Sequence, residues 1–340
     1  MSDLEKILDT APKNLSIVDS ILKARSVLSR HSNVAVSVSG GADSDCVLDL
    51  LELVKPDSCA IRYVFWDTGL EFNATKRHLD YLEEKYGIVI ERRRAEKMVA
   101  AACREYGVPF ISKDASDMFY RLQNHNFDWN DSAEAATPEK YGKCKSALDW
   151  FFDRRGNTAS GKSRFSIARF AMLREFVSAY PPLFKISEKC CEHAKKRPSR
   201  LYYKANDIDL AVTGMRRAEG GARSGVISSC FSLGKDGAPD NYRPVWYWTD
   251  ADKALYKSWR ELRYSDCYEI WGMTRTGCVG CPCNSNALIE LDTVRQYEPQ
   301  LVKAAFGIFG ESYNYKAQYN EFKRQHKNTA RATRTKEGIK

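Results

Sequence analysis

Two stretches of this chain carry residue types that a plain scaffold has little use for. The first is Ser39-Gly40-Gly41-Ala42-Asp43-Ser44, set between the valine-rich run 34–38 and the apolar run 45–54. Adjacent glycines leave backbone with no Cβ in the way. A glycine turn that feeds a helix gathers unpaired N–H groups and the positive end of the helix dipole at one point, which makes an anion site. Ser39 and Ser44 add hydroxyl donors, and Asp43 adds a carboxylate able to hold Mg²⁺ or to orient the loop. An ordinary strand-to-helix turn uses the same glycines but has no need of two serines and an acid around them. The second stretch is a pair of thiol motifs, Cys190-Cys191 and Cys278-x-x-Cys281, with Cys283 two residues further on. Soft thiolates select zinc or an iron–sulfur cluster. Adjacent cysteines crowd one tetrahedral ion but can each take a different iron of a cubane, so the spacing favours a 4Fe-4S cluster over zinc. The other six cysteines (Cys46, Cys59, Cys103, Cys144, Cys230, Cys267) are scattered singly and read as small buried hydrophobes.

Two further stretches bear on anion chemistry. Arg216 and Arg223, in "TGMRRAEGGARS", offer planar forks suited to oxyanions, although surface ion pairs would use the same groups. Residues 156–163, "GNTASGKS", satisfy the Walker pattern literally, but that motif must follow a buried strand, and here the charged run "DWFFDRR" precedes it. We read it as a chance match inside an insertion.

The elements needed to hold the first loop are legible. Val18, Ile21, Leu22 and Leu28 recur at helical spacing, predicting an amphipathic helix over 14–30. Strand "VAVSV" (34–38), helix 45–54, a strand from 60 ending in Asp67-Thr68-Gly69, helix 73–87 and strand 88–94 then alternate. Such alternation predicts an α/β fold with a doubly wound parallel sheet, in which ligands sit outside the carboxyl ends of the strands. Residues 112–185 break the rhythm, being polar, aromatic and without clear strands, and read as a helical or irregular insertion. The pattern resumes with "IDLAVTGMRR" (208–217) and a helix from about Asp250 to Trp259. The expected organisation is an N-terminal helical segment (1–30), an α/β domain (31–290) and a C-terminal helix with a basic tail (291–340). After "YNEFKRQ" the tail lacks apolar periodicity and is expected to be mobile.

Composition narrows the class. Of 340 residues 43% are hydrophobic, yet no run approaches the eighteen or so apolar residues of a membrane helix. The first residues lack the basic and apolar regions of a secretory signal, so a cytoplasmic protein without membrane partners is expected. There, eleven cysteines point to metal binding or thiol chemistry rather than disulfides. The net charge of +9 fits a polyanionic partner as well as a solvated basic surface.

The loop 39–44 resembles the SGGxDS loop of the adenine nucleotide alpha-hydrolase superfamily, which unites PP-loop ATP pyrophosphatases with the phosphoadenosine phosphosulfate (PAPS) and adenylyl sulfate reductases. "KCCEHAKKRP" and "GMTRTGCVGCP" are similar to the cluster segments of the 4Fe-4S sulfonucleotide reductases. "FWDTGLEFNAT" is similar to the segment flanking the adenosine, and "TGMRRAEGGARS" to the one whose arginines grip the far phosphate or sulfate. The matches cover roughly residues 34–91 and 185–283. The resemblance implies that Ser39, Gly40, Gly41 and Ser44 hold phosphates and that Asp67 and Thr68 flank the nucleotide, ATP or adenylyl sulfate. It also implies that Asp43 positions Mg²⁺ if a metal is used, that Arg216 and Arg223 neutralise the leaving group, and that Cys190, Cys191, Cys278 and Cys281 hold the cluster with Lys189 or Lys195 beside it. The reductases use a further cysteine near the C-terminus as nucleophile toward sulfur, and no cysteine follows Cys283 here. The resemblance therefore leads first to cleavage beside the α-phosphate coupled to sulfur transfer onto a nucleic acid, tRNA or DNA, with a sulfur or electron donor protein. A reductase using Cys283, Cys230 or an external thiol is the second reading, and a non-catalytic nucleotide or redox sensor the third.

Overall fold

A computed structural model describes residues 3–154, 165–220 and 227–337, with side chains through residue 326. Two compact bodies account for the chain: Met1–Met98 with His193–Val279 and Thr293–Leu301, and Val99–Glu192 with Gly280–Asp292 and Val302–Lys340. They cut the chain differently from the composition-based boundaries. The N-terminal helices belong to the first body, and the second opens ahead of residue 112.

The first body is built on a sheet of six strands among the described residues: β1 (Asn33–Ser37), β2 (Ala60–Asp67), β3 (Ile90–Arg94), β4 (Leu210–Thr213), β5 (Phe231–Ser232) and β6 (Asp240–Tyr242). Their order is β3-β2-β1-β4-β6-β5, parallel throughout except for the antiparallel edge strand β5. Val36 of β1 lies beside Tyr63 of β2 and Val212 of β4. The chain winds one way from β1 to β2 and β3 and the other way to β4 and β6, so β1 and β4 flank the point where the order reverses. Helix α1 (Asp3–Thr10) leads into α2 (Leu15–Leu28), which lays Ile17, Ile21, Ala24 and Leu28 into the core at i, i+4, i+7 and i+11. This stripe is rotated from the expected one, and Leu22 faces solvent. Helix α3 (Ala42–Val54) is buried along most of its length, starts three residues earlier than its apolar pattern implies, and so takes Asp43 and Ser44 into its first turn. Helix α4 (Asn73–Tyr86) ends on Gly87 in the left-handed conformation. Strand β6, "DNY", carries no apolar signal. Its pairing with β4 makes it a strand.

The second body is helical and packs around aromatic rings. Phe110, Phe119, Trp150, Phe151 and Phe176 are fully buried, and Phe119 meets Trp150 edge-on at 5.5 Å. Tyr315 and Tyr319, from the helix Pro299–Glu337, close the same core. That helix runs on into the basic tail as far as Glu337. Beyond residue 325 its Ala, Arg and Lys residues extend a nucleated helix without an apolar stripe.

Candidate functional site

Three loops leave the carboxyl edge of the sheet in the first body, one each from β1, β2 and β4. Ser44 ties the first. Its buried hydroxyl accepts the N–H groups of Ser39 and Gly41, each at 3.2 Å, and the Ser39 hydroxyl at 3.1 Å, and donates to the Gly41 carbonyl at 2.8 Å. Ser44 therefore shapes the loop, while Ser39 remains exposed at its rim. Gly40 has a φ of +61°, and a Cβ there would stand 2.6 Å from the Thr75 methyl. A Cβ on Gly214, just past β4, would come within 2.9 Å of the Ser44 amide nitrogen, so the ends of β4 and α3 meet backbone to backbone. The thirteen-residue helix α3 directs its first-turn amides at this loop.

Asp43 is paired before any ligand arrives. Arg216, only 7% exposed, gives Nε to Asp43 Oδ1 at 2.8 Å, Nη2 to Asp250 at 2.8 Å and Nη1 to the Trp248 carbonyl at 3.3 Å. Lys253 Nζ stands 3.2 Å from the same Asp43 oxygen. Burial works against the Arg216 charge, but the two carboxylates outweigh it and raise the guanidinium pKa further. In this arrangement Arg216 fixes Asp43. Beneath the loop, Asp45 and His78 form a fully buried pair at 2.7 Å, and burial pushes the Asp45 carboxyl upward against the pull of His78.

At the end of β2 the Asp67 carboxylate accepts the Gly69 N–H at 2.8 Å, a side-chain-to-backbone turn that needs the left-handed φ of +81° at Gly69. Thr68 is buried and gives both its N–H and its hydroxyl to Glu71, whose Oε2 also accepts the Leu70 N–H. Burial pushes the Glu71 carboxyl up, opposed by the Thr68 hydroxyl and the Lys195 charge. Cys278 Sγ lies 3.5 Å from the Thr68 hydroxyl.

The remaining thiols occupy the second body. Cys190 is buried and hydrogen-bonded to Cys103 and Cys191, which raises its pKa. Cys281 is hydrogen-bonded to Cys283, which pulls the Cys281 pKa down to about 7, with the Cys191 thiol and the Lys113 charge close by. Lys316 is near both, and burial lowers its pKa. Lys189 lies over the Tyr120 ring at 5.4 Å. Directly after Cys191 the backbone makes a π-helical turn over Glu192–Lys196, a feature frequent at functional sites. The donors are soft, the type that an iron–sulfur cluster takes. As free thiols they pair with one another, and among the described residues no three metal-binding side chains are gathered for an ion.

The predicted residues thus fall into three groups: Ser39, Gly40, Gly41, Asp43, Ser44 and Arg216 around one loop; Asp67, Thr68 and Cys278 around another; and Cys190, Cys191 and Cys281 among the thiols of the second body. Arg223 and the Walker-like run 156–163 lie outside the described residues. Sequence reasoning missed Cys103, which stands 87 residues before Cys190 and gives no spacing signal. It also missed Lys253 and Asp250, whose partners Asp43 and Arg216 are distant in sequence, and Glu71, whose hydrogen-bond partners are local. The 71st position had a faint signal, an acid inside an otherwise apolar turn.

Known proteins resemble this chain in part of its sequence and in its fold. Residues 33–124, a little over a quarter of the chain, match the family model described as the phosphoadenosine phosphosulfate reductase domain. The uncharacterized protein MJ0066 of Methanocaldococcus jannaschii is 41% identical over 76 residues, which are 22% of this chain and only 15% of that protein's length. Among solved structures, the chain is similar to a PAPS reductase from Candida auris (12% identity, 81% of this chain and 93% of the other, TM-score 0.41). It is also similar to the U34-tRNA thiolase NcsA from Methanococcus maripaludis with its [4Fe-4S] cluster (14%, 89% and 81%, TM-score 0.38). A third likeness is to the FMN adenylyltransferase of Candida glabrata in complex with ATP (14%, 82% and 68%, TM-score 0.39). These structural likenesses are distant, and what each of those proteins binds is a property of that protein.

Proposed function

We propose, with the phosphoadenosine phosphosulfate reductase domain over residues 33–124 as the premise, that this chain is a PP-loop enzyme that binds ATP or a related adenine nucleotide and cleaves it beside the α-phosphate for sulfur transfer. The observation that carries the reading is the contact of loop 39–44 with residues 214–216 where strand order reverses, with loop 67–71 leaving the adjacent parallel strand at the same sheet edge. An open α/β sheet leaves its ligand crevice there. Backbone amides of the first loop and of the α3 N-terminus take the phosphates, Ser44 holds the loop in shape, and Asp67 with Thr68 borders the nucleoside. Arg216 and Lys253 hold Asp43 in place, ready to orient the triphosphate or a Mg²⁺ ion. The resemblance assigns neutralisation of the leaving group to Arg223 together with Arg216.

In the proposed reaction an acceptor oxygen attacks the α-phosphorus, the bond to the β-phosphate oxygen breaks, and pyrophosphate leaves with the electron pair. A hydrosulfide from a sulfur donor protein then forms a C–S bond on the acceptor as the C–O bond breaks and AMP departs. Cys190, Cys191 and Cys281 would hold a 4Fe-4S cluster, with Cys278, three residues ahead of Cys281 in sequence, as the fourth thiolate. When bound, such a cluster supplies a soft Lewis-acidic iron for sulfur or electrons. The basic charge fits a nucleic-acid acceptor, tRNA or DNA.

The test is anaerobic purification with iron and acid-labile sulfide analysis, then incubation with ATP or adenylyl sulfate while AMP, pyrophosphate and sulfite are resolved. Pyrophosphate and AMP from ATP without sulfite are the expected products, and Asp43→Ala should abolish them while leaving iron in place. Sulfite from adenylyl sulfate with a thiol would make the protein a reductase. Nucleotide binding without turnover would make it a sensor.

A further inference from the structure

On the first body a cavity of about 480 Å³ opens between the start of α4 and the segments 266–271 and 297–301. One wall is a parallel stack of Trp271 and Tyr297, with centroids 4.8 Å apart and planes 13° apart. Tyr297 is 45% exposed and Ile270, also in the lining, 60%. Two exposed arginines, Arg77 and Arg263, approach Asp266 at the cavity from 3.8 and 3.5 Å. The other lining carboxylate, Glu298, is spent inward, accepting the N–H groups of Asn73 and Ala74 to cap α4. The mouth therefore sets two guanidinium groups, both sharing Asp266, beside an exposed aromatic face.

The segments that build this cavity also touch the glycine loop. Thr75, two residues before Arg77, packs on Gly40, while Tyr268, between Asp266 and Ile270, accepts the Ala42 N–H and borders Gly41. The same two segments thus serve the cavity and the proposed nucleotide loop.

We propose that this cavity binds an unpaired base of a single-stranded nucleic acid, the base lying against the Trp271–Tyr297 wall and the flanking phosphates facing Arg77 and Arg263. The volume, within the usual range of small-ligand pockets, exceeds what one base needs. Flat aromatic rings beside guanidinium groups are the chemistry that holds unstacked bases without reading sequence. The inference deepens the proposed function by giving the acceptor's place, and it rests on that reading only for the claim that the bound strand is a substrate.

Fluorescence anisotropy of fluorescein-labelled single-stranded 12-mers, RNA and DNA in separate arms, tests it on the full chain without ATP. Tyr297→Leu should weaken binding at least about fivefold at unchanged salt dependence, since stacking is lost and no charge is. Arg77→Gln should weaken it less at high salt and flatten the plot of log affinity against log salt by about 0.7, the contribution of one phosphate contact on a single strand. Tyr297 and Arg77 are both exposed, and circular dichroism confirms that the variants are folded. Equal affinity of Tyr297→Leu and the parent chain, or no binding of either oligonucleotide by the parent, overturns the proposal. Loss of ATP cleavage in the product assay would instead overturn the proposed function and leave base binding standing. The arm with the higher affinity decides between RNA and DNA.

Discussion

The glycine-loop edge of the first body and the thiol group of the second handle their polar atoms in opposite ways. Around loop 39–44 the charged groups are already matched: Asp43 with Arg216 and Lys253, Asp45 with His78, and Asp49, deeper along α3, with Arg260, Tyr86 and Tyr256. In the second body Cys190, Cys103, Cys191, Cys281 and Cys283 face chiefly one another. A loop with its own partners keeps its geometry without ligand, which is what preorganised binding of a phosphate asks. Thiols whose neighbours are thiols are weakly satisfied by protein and are matched by a soft metal. The same chain thus holds one polar loop shaped in advance and, on the proposed reading, one thiol group that a cofactor would complete.

The comparison can be broken most decisively at the thiols. Cys281→Ser is expected to reduce iron from about four per chain to near none by elemental analysis, with circular dichroism little changed. Cys103→Ser should retain iron, because Cys103 is outside the proposed ligand set. If Cys103→Ser lost the iron and Cys278→Ser kept it, the set would be wrong.

At the loop the expected effects are smaller and fall on stability. Arg216→Ala should cost about 2–3 kcal/mol in urea unfolding, the low side for a buried pair, since Asp250 is exposed and Lys253 still reaches Asp43. A loss below about 0.5 kcal/mol would mean that the pair does not hold the loop. Gly40→Ala forces a side chain into a left-handed φ and against Thr75, and should cost about 1–3 kcal/mol together with nucleotide binding by calorimetry.

The smallest effect is pH-dependent. Burial pushes the Asp252 carboxyl up, but the N–H and hydroxyl of Thr249 and the Asn14 amide outweigh it and hold its pKa below the ordinary carboxylate value. A lowered pKa in the folded state gives stability that is present above the unfolded value, near 4, and is lost as pH falls through the folded one. Asp252→Asn should therefore cost about 1 kcal/mol at neutral pH, as for a lost helix cap. The deficit should shrink in acid. A deficit that stays constant down to pH 3 would assign the loss to shape rather than charge.

Local chemistry made much of this protein readable in advance. The glycine loop, the first three strands and the strand ending at Thr213 announce themselves because an apolar run, a glycine turn and a helix start are each properties of neighbouring residues. The CC and CxxC motifs are legible for the same reason. Strand β6 was not, since "DNY" becomes a strand only by pairing with β4. Nor was the buried face of α2, where the tertiary core prefers Ile17 and Ala24 to Val18 and Leu22.

Residue order alone sets the parallel α/β framework, the glycine loop and the thiol motifs, because those rest on periodicity and spacing along the chain. Only the tertiary structure decided that Ser44 knots the loop, that Arg216 and Lys253 hold Asp43, that Glu71 staples Thr68, and that Cys103 joins Cys190. Each is a contact between groups that folding brings together, and its strength depends on burial and distance, which residue order alone does not set.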